Sequence, residues 1–283
     1  MTDLPPRACV MGHPVAHSRS PLLHGYWLET LGIAGRYERE DVAPDRFPEF
    51  LRHLARHGYV GGNVTVPHKQ AAFRDVDRRD AAADAVGAVN TVWYEAGTLV
   101  GSNTDGIGFM AHLDASVPGW EVQGGRAVVL GAGGSARSVV HALVGRKIDV
   151  AVVNRTRARA EEIARLLGRR VKPYGLAELS GLLPDTCLLV NTTTLGMAGQ
   201  PPLAVDLDRI DARAVVYDIV YVPLETPLLA AAKARGLRTA DGLGMLLHQA
   251  VPGFARWFGV TPQVTPELRA LLEADIRAET GAH

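Results

Sequence analysis

The sequence predicts an α/β protein. An N-terminal α/β domain is followed by a doubly wound parallel sheet, and then by helices that return to the first domain. Three observations carry this prediction. Strand-like and helix-like patterns alternate along nearly all 283 residues. The β-branched run Arg126-Ala127-Val128-Val129-Leu130 feeds the turn Gly131-Ala132-Gly133-Gly134-Ser135-Ala136 and a helix-like segment. A second apolar run at 148–153 follows at the spacing of one βα crossover.

Taken in order, Ala8–Met11 reads as a strand. Ser20 is a candidate N-cap and Pro21 a first helical residue, for a helix that stops at Gly32. Residues 36–42 read as a strand, 46–57 as an amphipathic helix ended by Gly58, and 60–66 as a strand, after which Pro67 opens a helix. Residues 88–94 and 98–101 read as a hairpin about Ala96-Gly97. A helix from Gly106 to Ser116 leads to Pro118-Gly119. Strands are expected at 126–130, 148–153, 187–190, 214–219 and 237–239, with Lys172 and Pro173 in a loop. The chain turns helical after Gly242 through Trp257 and again from Pro266. The expected domains are 1–105, 106–241 and 242–283.

Composition narrows the class. The chain is 47% hydrophobic and 21% charged, as globular proteins are. Its 30 basic and 30 acidic residues cancel, which argues against a nucleic-acid or anionic-membrane partner. No stretch approaches roughly 18 uncharged apolar residues, so no membrane span is expected. Met1–Met11 lacks a long apolar run, so no secretory leader is expected. Cys9 and Cys187 sit in apolar runs and read as free buried thiols. His13 and His17 are four apart, but Pro14 breaks any helix that would align them, so no metal site is expected. These features point to a cytoplasmic protein acting on a small molecule.

The glycine turn is a dinucleotide-binding fingerprint. Gly131 allows the tight strand-to-helix turn, Gly133 lets backbone approach a pyrophosphate, and Ala136 lets the helix pack closely. The N–H groups at the helix start face the anion. At the end of the next strand the chain has Asn154-Arg155-Thr156 where NAD-binding proteins place an acid. An acid there repels a 2′-phosphate, whereas Arg binds it bidentately. Arg159 lies four residues past Arg155, on the same face if this stretch is a helix. The cofactor is therefore read as NADP.

Four polar motifs at strand ends carry the rest: His17-Ser18-Arg19-Ser20-Pro21, Asn63-Val64-Thr65-Val66-Pro67-His68-Lys69, Gly87-Ala88-Val89-Asn90-Thr91 and Asn103-Thr104-Asp105-Gly106. Open α/β sheets bind ligands at such ends. Lysine is rare in this Arg-rich chain, present only as Lys69, Lys147, Lys172 and Lys233. Lys147 and Lys233 sit near helix C-termini, where a cation is ordinary. Lys69 sits at a helix start, where a cation opposes the dipole, and an unfavourable local choice marks a functional site.

These motifs resemble the shikimate dehydrogenases over nearly the whole chain. The likeness extends through Asn191-Thr192-Thr193-Thr194-Leu195-Gly196-Met197, Asp218-Ile219-Val220-Tyr221 and Asp241-Gly242-Leu243-Gly244-Met245-Leu246-Leu247-His248-Gln249. The resemblance implies a substrate-binding α/β domain, a Rossmann domain and C-terminal helices that rejoin the first. It implies NADP-dependent reduction of 3-dehydroshikimate, with Lys69 as acid and Asp105 as its partner. Ser18 and Ser20 would hold the substrate carboxylate, and Thr65, Asn90, Asp105 and Gln249 its hydroxyls, with Tyr221 closing the site. Residues 131–136 would hold the pyrophosphate; Asn154, Arg155, Thr156 and Arg159 the adenosine phosphate; Thr192, Met197, Ile219 and Gly242 the nicotinamide end. Bland roles stand beside these: Ser20 and Asp105 as helix caps, Asn90 and Asn103 as turn residues, and Met197 and Ile219 as core. The chain departs from the family pattern at His248, at His68 and in the spelling of 191–195. A quinate/shikimate dehydrogenase using NAD is the near alternative, and an NADPH-binding regulatory protein the distant one. Oligomeric state is read as monomer or homodimer.

Overall fold

The computed structural model describes residues 4–281; Met1–Asp3, part of the stretch read for a leader, lie outside the described residues. The chain forms two compact units, Met1–Thr104 with Gln249–Leu272, and Asp105–His248 with Glu273–His283.

The first unit runs β1 (Arg7–Gly12), α1 (Ser20–Thr30), β2 (Arg36–Asp41), α2 (Phe47–Arg52), β3 (Tyr59–Val64), α3 (Lys69–Asp75), β4 (Arg78–Arg79), α4 (Ala81–Val86), β5 (Thr91–Glu95) and β6 (Thr98–Ser102). Its sheet has the order β2-β1-β3-β5-β6-β4. β1 is parallel to β2 and β3, while β5 is antiparallel to β3 and β6. Side chains alternate across β1: Cys9 and Met11 join a core with Phe47, Leu51, Leu54 and Val64. Ala8 and Val10 are buried on the opposite face. The β5–β6 hairpin turns at Ala96 and Gly97, both with positive φ, as a type I′ turn requires.

Four local expectations are corrected. Ser20 is the first residue of α1 and not its cap; Arg19 is the N-cap residue, without a side-chain cap bond. The hydroxyl that serves this turn is Ser18 Oγ, which accepts the Ser20 N–H at 3.3 Å. The helix expected to reach residue 57 ends at Arg52. Beyond it, Leu54 N–H bonds Leu51 O and Arg56 N–H bonds His53 O, so the chain tightens into three-residue turns that bring Leu54 into the core. Pro67 precedes its helix by two residues, and His68 is the N-cap residue. α4 was passed over, although Asp80 caps it through Ala83 N–H at 2.9 Å and Gly87 ends it at φ 71°.

The second unit runs α5 (Asp105–Ser116), β7 (Arg126–Leu130), α6 (Gly134–Gly145), β8 (Val150–Asn154), α7 (Arg157–Leu167), β9 (Val171–Gly175), α8 (Leu179–Leu182), β10 (Thr186–Asn191), β11 (Val215–Asp218), α9 (Pro227–Ala234) and β12 (Arg238–Ala240). The helices α10 (Gly242–Phe258) and α11 (Pro266–Thr280) close the chain. All strand pairs are parallel, in the order β12-β11-β10-β7-β8-β9. This is the doubly wound dinucleotide order, with its switch point between β7 and β10. Both faces are covered. Ala127 and Val129 face a layer containing Phe109, Leu113, Val139 and Leu143. Val128 and Leu130 face one containing Leu182, Leu228 and Leu229. Full burial of each such side chain is worth about 1.5–3 kcal/mol. Lys172 and Pro173 lie in β9 and not in a loop. β9 is an edge strand, where a missing N–H is tolerated.

The division between units falls inside α10, so Gln249–Phe258 belongs to the first unit. There Trp257 Nε1 donates to Val92 O at 2.9 Å. Gly61 makes this possible, because a Cβ would sit 2.4 Å from that indole nitrogen and 2.3 Å from Val92 O.

Candidate active site

In the first unit the polar motifs gather where the strands end. Arg39 donates twice to Ser18 O, at 3.1 and 2.7 Å, and fixes the turn before α1. Thr65 follows β3; its N–H donates to Met11 O at 2.9 Å, and a Cβ at Gly12 would meet its methyl at 2.5 Å. Lys69 is the first residue of α3, and its carbonyl accepts Val89 N–H at 2.9 Å. Its neighbour His68 is an internal brace. The ring stacks on Phe47 with centroids 4.2 Å apart, Nε2 shares a hydrogen bond with Val42 O at 2.7 Å, and burial pushes its pKa down.

Asn90 is a hub. Its Oδ1 accepts Thr104 N–H at 2.8 Å and Thr91 Oγ1 at 3.0 Å, which orients the amide. Thr104 Oγ1 also lies 3.3 Å from Gln249 Oε1. Asn63 Nδ2 donates to Asn90 O at 3.2 Å and to Thr91 Oγ1 at 3.3 Å. Tyr37 donates to Asn63 Oδ1 at 2.6 Å. Tyr37, Asn63, Asn90, Thr104 and Gln249 are thus joined by one run of hydrogen bonds. Sequence reasoning missed Tyr37, Asn63 and Thr104 as members. Asn63 and Thr104 lay inside motifs already singled out, whereas Tyr37 carried no signal in its strand. Asn103 Nδ2 donates to Ala88 O at 3.2 Å, consistent with a turn residue.

In the second unit Gly131 has φ 108°, and a Cβ there would meet Thr192 Oγ1 at 2.7 Å. Gly133 is the N-cap residue of α6 and offers no side-chain cap, while Ala136 is fully buried. A Cβ at Gly133 or Gly134 would meet nothing within 4 Å. Protein packing does not demand glycine at those two positions, and they leave the backbone open to close approach by a ligand. The turn and the first N–H groups of α6 therefore fit a pyrophosphate.

Asn154 closes β8, and its Nδ2 donates to Thr156 O at 2.9 Å. Thr156 is extended (φ −97°, ψ 97°), so α7 begins at Arg157 and Arg155 stands outside it. Arg155 and Arg159 therefore do not share a helix face as expected, yet both are exposed. Among the described residues neither forms an ion pair, whereas Arg157 pairs with Glu161 and Glu178. Two cations without acidic partners beside the cradle suit a 2′-phosphate.

The loops expected at the nicotinamide end are organised by Asp218, which is fully buried. Its Oδ1 accepts Asn191 Nδ2 at 2.9 Å and Val220 N–H at 3.0 Å, and its Oδ2 accepts Thr226 Oγ1 at 2.7 Å. Burial pushes its pKa up to about 6 against these donors. Asn191 in turn holds Thr193 and Leu195. One carboxylate thus ties together the loops carrying Thr192, Met197, Ile219 and Tyr221. Thr192 Oγ1 donates to Leu130 O at 2.7 Å, and Met197 is exposed. A Cβ at Gly242 would lie 2.1 Å from Ile219 O, which accounts for glycine at the start of α10. His248 lies with its ring 5.9 Å from that of His112, and burial pushes its pKa down. Asp105 is itself the first residue of α5, not the cap before it. Among the described residues no cluster of side chains could hold a metal, and no helix is long and apolar enough to cross a membrane.

A glycine cradle at the switch point of a doubly wound sheet, beside two arginines that form no ion pair among the described residues, defines a dinucleotide-binding protein of the kind oxidoreductases use. Comparison with known proteins makes the class specific. Residues 10–92 match the family model described as shikimate dehydrogenase substrate binding domain. Residues 114–196 match shikimate / quinate 5-dehydrogenase, and residues 242–272 the shikimate 5'-dehydrogenase C-terminal domain. The shikimate dehydrogenase (NADP(+)) of Azorhizobium caulinodans is 57% identical, over 96% of this chain and 98% of its own. Shikimate 5-dehydrogenase from Thermus thermophilus, in complex with NADP(H) and shikimate, has a TM-score of 0.84 and 37% identity, covering 96% of this chain and 99% of that one. Quinate dehydrogenase from Corynebacterium glutamicum, in complex with NAD, has a TM-score of 0.88 and 30% identity, covering 96% and 100%. The chain belongs to the NADP-dependent shikimate dehydrogenase family.

Proposed function

We infer that the protein catalyses the reversible, NADP-dependent reduction of 3-dehydroshikimate to shikimate. The observation that carries this is the polar run from Asn63 through Asn90 and Thr104 to Gln249, which presents hydroxyl and amide groups at strand ends, as a small polyhydroxylated acid needs. NADPH, when bound, supplies the hydride. The chain's own residues bind, orient and move the proton. Residues 131–136 hold the pyrophosphate, and Asn154, Arg155, Thr156 and Arg159 the phosphate on the adenosine ribose. Thr192, Met197, Ile219 and Gly242 shape the nicotinamide end. Ser18 and Ser20 hold the substrate carboxylate, while Thr65, Asn90, Asp105 and Gln249 hold hydroxyls, with Tyr221 closing over them. As the carbonyl carbon gains hydrogen, charge develops on its oxygen; the Lys69 ammonium stabilises that charge and donates its proton. Asp105 orients Lys69 and a substrate hydroxyl. In the oxidative direction neutral Lys69 takes the proton back. The enzyme acts in the cytoplasm, as a monomer or homodimer.

The quinate dehydrogenase likeness keeps a second substrate in view. Against it stand Asn154 and Arg155 where NAD selection places an acid. A spectrophotometric assay of shikimate and quinate oxidation, each with NADP and NAD, decides. Shikimate with NADP is expected to have the highest kcat/KM. Preference for quinate with NAD overturns the specificity, and no turnover with any pair favours a regulatory NADPH binder.

A further inference from the structure

We propose that the second unit carries a separate binding site for a small phosphate monoester, at the end of its sheet opposite the glycine cradle. All strands of this sheet run in one direction, so the cradle lies where β7 ends and this site where β7, β8 and β9 begin. The length of β7, about 17 Å, separates the two. The site is a cavity of 620 Å³ that lies wholly within the second unit. Small-molecule pockets span about 300–1,000 Å³. The pleat places its side chains. Lys172 pairs in register with Ala151, and Ala151 with Val128, so the three share one face of the sheet. Tyr174, two residues past Lys172, stands on that face as well. Elsewhere the same face is an apolar layer packed on Leu182 and Leu228, whereas at the start of β9 it carries an exposed ammonium. Lys172 is also the one lysine of this lysine-poor chain assigned neither to a helix end nor to the reaction.

Charge selects the ligand. Arg126, Arg169, Arg170 and Lys172 line the cavity, against the acids Asp149 and Asp185. Both acids are already committed, Asp185 to Arg126 at 3.0 Å and Asp149 to Arg170 at 2.7 Å. Among the described residues Arg169 and Lys172 form no ion pair, and the Tyr174 hydroxyl forms no hydrogen bond. Two positive charges are therefore uncompensated in one concave site, and one dianion matches them. A phosphate monoester carries nearly two negative charges at neutral pH and offers three acceptor oxygens. A guanidinium, an ammonium and a phenol are suitable donors to them. A monocarboxylate leaves one cation unmatched. Val150, Ala151 and the Tyr174 ring supply apolar surface for the organic group of the ester.

The probe is 4-nitrophenyl phosphate, whose absorbance reports binding in equilibrium dialysis against the full chain, with and without saturating NADP. Saturable binding of one equivalent is expected, unchanged by NADP. Arg169→Gln and Lys172→Gln are each expected to weaken it at least about tenfold, the scale of one lost charge-assisted hydrogen bond. Both side chains are exposed, so melting temperatures should hold and the losses report the site rather than the fold. Arg165→Gln, at an exposed arginine of α7 outside the cavity, is expected to leave binding unchanged. 4-Nitrobenzoate, with the same ring and one charge fewer, is expected to bind at least about tenfold more weakly. No binding by about 10 mM probe overturns the proposal. So does competition by NADP, which places the anion in the cradle. Retained affinity in Arg169→Gln and Lys172→Gln, or equal loss in Arg165→Gln, also overturns it, the latter by showing diffuse surface charge. Equal binding of 4-nitrobenzoate overturns the phosphate class. None of these readouts needs turnover of shikimate, so they stand apart from the substrate assay above.

Discussion

Asp218 offers a prediction whose size follows from its surroundings. It is fully buried, and burial raises its pKa from 3.8 to about 6 despite three hydrogen-bond donors. The folded state therefore binds this proton more tightly than the unfolded chain. Stability from this group is fullest below pH 3.8 and is lost as pH rises through about 6. Asp218→Asn is close in shape, keeps an acceptor for Asn191 and Val220, and does not titrate. The stability of the wild type relative to this variant should fall by about 1.4 kcal/mol between about pH 5 and pH 7.5, most of it before pH 6.5. Urea unfolding of both proteins across that range, followed by tryptophan fluorescence, measures it. A difference that stays flat with pH, or grows with pH, refutes the claim that a buried titrating carboxylate holds these loops.

Three other outcomes are expected. Lys69→Ala should lower kcat at least about 100-fold while shikimate and NADPH still bind by calorimetry, the scale of removing one donor to a developing oxyanion; an undiminished kcat removes Lys69 from proton transfer. Arg155→Asp should weaken NADPH about 10- to 100-fold and NADH by less than about twofold, because a charge-assisted bond to phosphate is lost; equal losses for both cofactors refute the phosphate assignment. Gly61→Ala should lower the melting temperature by roughly 5 °C or more, since the added methyl would lie 2.3 Å from Val92 O and 2.4 Å from the Trp257 indole nitrogen; an unchanged melting temperature shows that this contact relaxes freely.

The parallel strands were legible because strands buried on both faces must be apolar runs, as 126–130 and 187–190 are. The glycine turn was legible because Gly131, at φ 108°, takes a conformation that excludes most other residues and the glycines after it spell the fingerprint. Caps were harder to read. Ser20 looks like an N-cap before Pro21, but Arg19 already has helical angles, so the capping position falls one residue earlier and Ser18 supplies the hydroxyl. The Arg155–Arg159 spacing failed similarly, since one extended residue, Thr156, moved the helix start past Arg155. Lys172-Pro173 looked like a loop because proline breaks ladders, yet an edge strand does not need its N–H. Motifs pointed to Asn90 and Gln249, but not to Tyr37, which joins the same run through Asn63. A tyrosine at an inward strand position is ordinary core by pattern, and only the folded pairing of β2 with its neighbours reveals what its oxygen meets.

The first unit is assembled from two stretches far apart along the chain, with Gln249–Leu272 supplying Trp257 and the carbonyl contact at Val92. As the chain emerges from the ribosome, its first hundred residues must wait, aromatic surface uncovered, while the entire Rossmann segment is synthesised. The first unit is therefore completed only after the strands of the dinucleotide sheet have been made. A nonsense codon near residue 250 would spare the strands of the dinucleotide sheet and leave the N-terminal unit without its closing helix.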